Sequence, residues 1–155
     1  MSDTDVVFKD ERGNLVVIMG HVLTRLLSYR QLHHFTPESA GVLIGERRGQ
    51  HLVICDISEP GLGDIRQRNR VDRRGTHHQL RVNEAFERSG GTHQYLGEWH
   101  THPEDRPLPS ATDKHSWRRN VVSDELMLLL IVGRKVFWLG KKERELITAF
   151  KQIKS

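Results

Sequence analysis

A single α+β domain is what this sequence predicts, on three observations. Short β-prone apolar runs are interleaved with stretches of helical period; turn-forming Gly, Pro and Asn punctuate them closely; and no internal repeat or low-complexity linker divides the 155 residues. That length corresponds to about one domain with enough mass to bury a core, so residues 1–155 are read as one unit. With 36% hydrophobic and 28% charged residues, the composition is that of a globular chain rather than a disordered one. The longest apolar run, Leu126 to Val132, is seven residues, against the ~18–20 that a membrane span needs. The opening MSDTDVVFKD is acidic and lacks the apolar core of a signal peptide, so the expected location is the cytoplasm.

Taken in order, residues 5–9 and 14–19 are β-prone runs around the turn signal Glu11-Arg12-Gly13-Asn14 and predict a hairpin. From His21 to about His34, Val22, Leu23, Leu26, Leu27, Tyr29 and Leu32 recur at helical spacing, and Pro37 blocks continuation. Val42-Leu43-Ile44-Gly45 reads as a buried strand, and Arg47-Arg48-Gly49-Gln50 turns into another over 51–57, closed by Pro60-Gly61. Thr76 to Ser89 fits a second helix stopped by Gly90-Gly91. A strand over 93–100 follows, then a helix opened by Ser110 and running to about Val122, then apolar strands at 126–132 and 135–139. The run Leu146 to Phe150 fits a strand or a short helix equally well. Cys55, the single cysteine, lies in the apolar LVICDI and is expected to be a buried core thiol.

The chemistry concentrates in Gly97 to Asp113, GEWHTHPEDRPLPSATD. His100 and His102, two apart on a strand, share a face and lie roughly 7 Å apart along the backbone, so their imidazoles can converge on one ion. Pro103 ends the strand, Pro107 and Pro109 stiffen the loop, and that loop delivers Asp113 as a third ligand. Two imidazoles and a carboxylate suit Zn²⁺, and three protein ligands leave a fourth position for water, the mark of a catalytic zinc. Ser110 and Asp113 also form a capping box, a role compatible with a site. A proton shuttle is needed as well: Glu98, on the same face as His100 and His102, and Glu38 are both candidates that spacing alone does not separate. His77, His78 and His115 are read as solvated helix histidines.

The net charge is +4, and Arg66, Arg68, Arg70, Arg73 and Arg74 crowd nine residues around one Asp. This cluster could meet an acidic partner, but no aromatic residues interleave it to stack bases, so neither nucleic acid nor a membrane is the expected partner.

Glu38 with Gly41, Leu43 and Gly45, then Gly97-Glu98-Trp99-His100-Thr101-His102-Pro103, the seven residues from Pro103 to Pro109, then Ser110-Ala111-Thr112-Asp113, together resemble the JAMM signature of the JAB/MPN metalloproteases. The helix and strand order is similar to the family over nearly the whole chain. Thr101, where serine is more usual, departs from the pattern and is expected to be harmless. The resemblance implies a curved mixed β-sheet flanked by helices, of the cytidine-deaminase-like kind. It also implies one catalytic Zn²⁺ held by His100, His102 and Asp113, with Glu38 as general base and then acid, and Ser110 as hydrogen-bond donor to the oxyanion.

Family members remove ubiquitin or ubiquitin-like proteins from lysines or linear fusions. Lacking long insertions, this chain is most similar to the bacterial stand-alone JAB proteins of CBASS antiphage operons. The expected substrate is therefore a conjugated protein with an extended C-terminal tail, either ubiquitin-like or a CBASS nucleotidyltransferase attached through its C-terminal residue. Strand addition is the economical way to hold such a tail. The alternatives are processing of a ubiquitin-like sulfur carrier and a non-catalytic MPN scaffold.

Overall fold

A computed structural model describes residues 4–67, 70–72 and 75–154; the side chains of 65–72 and of 154 are outside the description. The elements are β1 (Val6–Lys9), β2 (Leu15–Ile18), α1 (Gly20–Leu27), β3 (Ala40–Arg48), β4 (His51–Ile57), β5 (Ile65–Gln67), β6 (Arg70–Asp72), α2 (His77–Arg88), β7 (Gln94–Thr101), α3 (Ala111–Asn120), β8 (Met127–Val132), β9 (Phe137–Glu143), β10 (Leu146–Ala149) and β11 (Lys151–Lys154). Among the described residues, nine strands form one mixed sheet in the order β10-β9-β8-β7-β3-β4-β2-β1-β11, parallel at β2–β4 and β7–β8 and antiparallel elsewhere; β5 and β6 form a separate hairpin. The side chains of the Arg66–Arg74 cluster fall outside the described residues.

The two edge strands of this sheet, β10 and β11, are consecutive in the chain with Phe150 alone between them. One residue cannot cross an open sheet of nine strands spaced at about 4.8 Å, so the sheet curls until its edges nearly meet. Phe150 drives its ring into the main core and donates its N–H to Leu139 O at 2.8 Å. The ambiguous run Leu146 to Phe150 is thus a strand followed by this closing residue.

The inner face gathers Phe8, Ile18, Val22, Leu26, Leu43, Ile54, Leu96, Trp99, Leu128, Leu130 and Leu139. Strand β8 is buried on both faces: Leu128, Leu130 and Val132 point inward, while Met127, Leu129 and Ile131 pack with Trp117 of α3. A continuous apolar run is the signature of such a doubly covered strand. In the same way Val42 and Ile44 of β3 face Ala85 of α2, on the outside of the sheet.

Three expectations are corrected. Helix α1 stops at Leu27 rather than His34, because the hydroxyl of Ser28 and Nε of Arg30 donate to Arg25 O and Leu27 O. Tyr29 and Gln31 then turn inward, and Leu32, counted as a core position, is exposed. Strand β9 runs to Glu143, past Gly140-Lys141-Lys142, since both lysines are buried and Lys141 is ion-paired. Cys55 is half-buried, its thiol donating to Val53 O at 3.5 Å.

Candidate metal centre

Strand β7 lies between β3 and β8, the one antiparallel and the other parallel to it. Its register on β3 slips at Leu43/Ile44, so that Leu43 opposes Gly97 and Ile44 opposes Tyr95. Gly97 has φ +152°, and a Cβ there would run into the backbone of Leu128, so only glycine fits this bulge. Beyond the bulge the alternation is regular: Trp99 and Thr101 are buried inward, while His100 faces outward under Trp117, ring centroids 5.8 Å apart. Trp117 in turn stacks on Trp138 at 5.8 Å and 7°.

His102 lies just past β7 and donates its N–H to Val132 O, which holds the chain to β8 for one more residue. The loop that follows is pinned by the β8–β9 turn, where Arg134 N donates to Glu104 O and Lys135 and Val136 N to Asp105 O. Ser110 then caps α3. Its hydroxyl accepts from Asp113 N at 3.0 Å, and the Asp113 carboxylate accepts from Ser110 N at 2.9 Å.

The loop and helix bring Asp113 to the two histidines. His100 Nε2 and His102 Nε2 are 3.1 Å apart, His100 Nε2 is 3.2 Å from Asp113 Oδ1, and His102 Nε2 is 3.1 Å from Asp113 Oδ2. These separations approach the roughly 3.3 Å edge of a tetrahedron whose ligands sit ~2.0 Å from a central zinc. The chemistry of the set, two neutral nitrogens and one carboxylate, suits the same ion. On the far side of its ring, His102 Nδ1 meets Glu104 Oε1 at 2.9 Å, and donation there leaves the Nε2 lone pair for a metal.

Burial pushes the pKa of Asp113 up, but hydrogen bonds from His100 and His102 outweigh it and hold the carboxyl well below the usual range. Burial likewise opposes a charged His102, yet Asp113 and Glu104 raise its pKa. Glu38, in the segment before β3, is buried at 8% exposure. Desolvation pushes its pKa up to about 7, with His102 pulling it down and Asp113 adding to the rise. Its carboxyl is therefore within electrostatic reach of the histidine–aspartate trio.

Glu98 shares the outward face, but its carboxylate is approached by the Tyr95 hydroxyl at 3.5 Å, and the convergent ligand atoms belong to His100, His102 and Asp113. Three groups escaped sequence reasoning. Thr101 is fully buried; its hydroxyl accepts from Ser39 N and donates to Gln31 Oε1, both at 2.9 Å. Gln31, apolar by position and polar by type, gave no periodic signal. His78, expected in solvent, is buried, with Nδ1 2.6 Å from Ser58 Oγ and Nε2 2.9 Å from Asp64 Oδ2. Ser58 also takes the N–H of Val42 on its hydroxyl and the indole N–H of Trp99 on its carbonyl. Gly41 leaves room for that contact, where a Cβ would strike Ser58 O. His77 bonds Glu59 O, while His115 is exposed as expected.

Residues 20–146 match the family model described as prokaryotic homologs of the JAB domain. The chain is 85% identical over 155 residues to a Vibrio cholerae serotype O1 protein named CD-NTase/cGAS isopeptidase, covering 100% of this chain and 99% of the relative. It is 54% identical over 152 residues to an Escherichia coli protein of the same name, with 98% and 97% covered. A solved structure, protein DSY2949 from Desulfitobacterium hafniense, is similar at TM-score 0.56 and 20% identity over 85% of this chain and 87% of that one, a likeness of fold alone. From a mixed, nearly closed sheet with three helices to full-length relatives, these findings converge: the chain belongs to the family of prokaryotic JAB-domain homologs.

Proposed function

We propose that this single-domain chain is a zinc-dependent isopeptidase that releases a CD-NTase from whatever amine its C-terminal residue has been joined to, in the cytoplasm, as part of CBASS antiphage defence. The observation that carries the reading is that relatives matching 100% and 98% of the chain at 85% and 54% identity both bear the name CD-NTase/cGAS isopeptidase. The site supports the chemistry. His100, His102 and Asp113 would hold the ion, whose donor spacing and ligand types they fit. When bound, zinc supplies Lewis-acid polarisation of the scissile carbonyl and makes a water acidic near neutral pH.

The rest is the work of side chains. Glu38, desolvated and with its pKa raised to about 7, takes the proton from the attacking water and gives it to the departing amine. The Ser110 hydroxyl accepts the Asp113 amide with a lone pair, so its proton stays available to the oxyanion, a contribution of about 3–4 kcal/mol from one preorganised donor. Strand addition cannot occur on β7, which is hydrogen-bonded on both sides. A substrate tail therefore docks elsewhere. Among the described residues no helix is long and apolar enough to cross a membrane.

The test is cleavage of a CD-NTase joined through its C-terminal residue to a reporter, followed by mass spectrometry. The expected result is cleavage after that residue, lost on chelation and lost in Glu38→Ala with zinc retained. Cleavage that survives Glu38→Ala, or an intact fusion after incubation with zinc-loaded protein, overturns the reading.

A further inference from the structure

The proposed general base and the proposed metal ligands sit on parts of the chain with very different restraint. His100 lies on β7 with bonded strands on both sides, whereas Glu38 belongs to residues 28–39, which form neither helix nor strand. Something must fix Glu38 to within a fraction of an ångström of the reacting water.

The candidates are few. Ser39, next to Glu38, is clamped at both backbone groups by one residue: its N–H goes to the Thr101 hydroxyl at 2.9 Å, and its carbonyl accepts from Thr101 N at 3.0 Å. Thr101 stands between His100 and His102, so this clamp links the residue next to the base to the residue between the two histidines through hydrogen bonds. A hydroxyl accepts in a fixed direction only when its own proton is committed elsewhere. Gln31 Oε1 takes that proton at 2.9 Å. The other end of the same amide, Nε2, donates to Thr36 O at 3.0 Å, which secures the turn just before Pro37 and Glu38. Gln31 is fully buried, as are Thr101 and Ser39, and water does not compete for these bonds. A buried primary amide is costly unless its bonds are made, and here they join the two ends of the loop to the metal-bearing strand.

We propose that Gln31 is a positioning residue for Glu38, acting through the Thr101 hydroxyl, and that the threonine in place of the more usual serine keeps the one atom the role needs. This rests on the reading of the chain as a peptidase with Glu38 as base. The brace acts on the base and not on the ion. Its removal therefore lowers kcat while leaving zinc content and KM in place.

The experiment uses the full chain and the CD-NTase–reporter fusion, with zinc content and thermal midpoint measured beside kcat and KM for Gln31→Leu, Thr101→Val and Thr101→Ser. Wild-type turnover that is lost in Glu38→Gln first establishes the peptidase reading; a wild-type protein without turnover fails that reading and not this one. The expected result is a fall in kcat of about 100-fold in Gln31→Leu and Thr101→Val, the size of loss that a 1 Å misplacement produces. Zinc stays stoichiometric, KM is little changed, and Thr101→Ser stays near wild type. In the Glu38→Gln background, Gln31→Leu is expected to cost nothing further, because the group it positions is already gone. Should Gln31→Leu fail to fold, the pair Thr101→Val and Thr101→Ser decides alone. An unchanged kcat in folded Gln31→Leu, zinc loss in step with activity, an added loss in the Glu38→Gln background, or equal damage from Thr101→Ser and Thr101→Val overturns the proposal.

Discussion

Lys141 Nζ meets Asp10 Oδ2 at 2.9 Å at the closed end of the sheet, with side-chain exposures of 1% and 0%. Glu11 adds a second carboxylate at 2.8 Å, and the ammonium stands 5.8 Å above the Phe150 ring. Asp10 also accepts the amides of Arg12 and Asn14, so the pair ties the β1–β2 turn to β9. Removing one partner of a buried pair leaves the other charge uncompensated, and Lys141→Met is expected to destabilise the fold by about 3–5 kcal/mol. Denaturant unfolding checks it, and Lys141→Met combined with Asp10→Asn should recover part of the loss.

The same pair sets how stability depends on pH. Burial would raise the Asp10 pKa, but the hydrogen bond from Lys141 and those from Asn14 and Arg12 bring it below 3.8. Its contribution is present above the unfolded value and is lost as pH falls through the folded one. Burial would lower the Lys141 pKa, yet Glu11 and Asp10 raise it above 10.5. That contribution is full below the unfolded value and is lost as pH rises through the folded one. Stability from this source is thus flat between roughly pH 5 and 10. Thermal midpoints measured across pH should show Lys141→Met flattening the alkaline limb.

Asp113 has two duties that substitution can separate. Asp113→Ala is expected to lose zinc and activity together, and it also removes the acceptor of the Ser110 N–H from the capping box, at a cost of about 1 kcal/mol. Asp113→Asn keeps an acceptor for Ser110 N, so it should spare most of that stability while still binding metal poorly. Metal analysis alongside unfolding curves distinguishes the two; full zinc occupancy in Asp113→Ala would remove this residue from the ligand set.

Glu104 is exposed, yet it holds His102 Nδ1 at 2.9 Å. Glu104→Ala is expected to weaken metal affinity by about 10–100-fold, the usual effect of losing a carboxylate behind a ligating histidine. Competition with a chromogenic chelator measures it.

Much of this was legible in the residues. The β1–β2 hairpin, the Ser110 cap, the strand that carries His100 and the apolar strand β8 each follow from local pattern, because each is decided by neighbours in sequence. What was not legible depends on distant residues. Lys141 reads as a strand end until Asp10 is beside it, more than a hundred positions away. Gln31 reads as an ordinary polar residue of a helix until Thr101 offers its hydroxyl. His78 looks like a solvated helix residue until Ser58 and Asp64 close around it. Polar groups buried by tertiary contact carry no periodic mark, and so they mislead a reading built on periodicity.

The indole of Trp117 lies between His100 and Trp138, touching one ring that ligates in the proposed centre and stacking on another that does not. An indole's emission responds to the charge of its neighbours, so Trp117 would serve as an optical reporter of metal in the proposed centre. Titrating metal into the apo chain while following tryptophan fluorescence would give binding curves with no added dye, and Trp117→Phe should silence them.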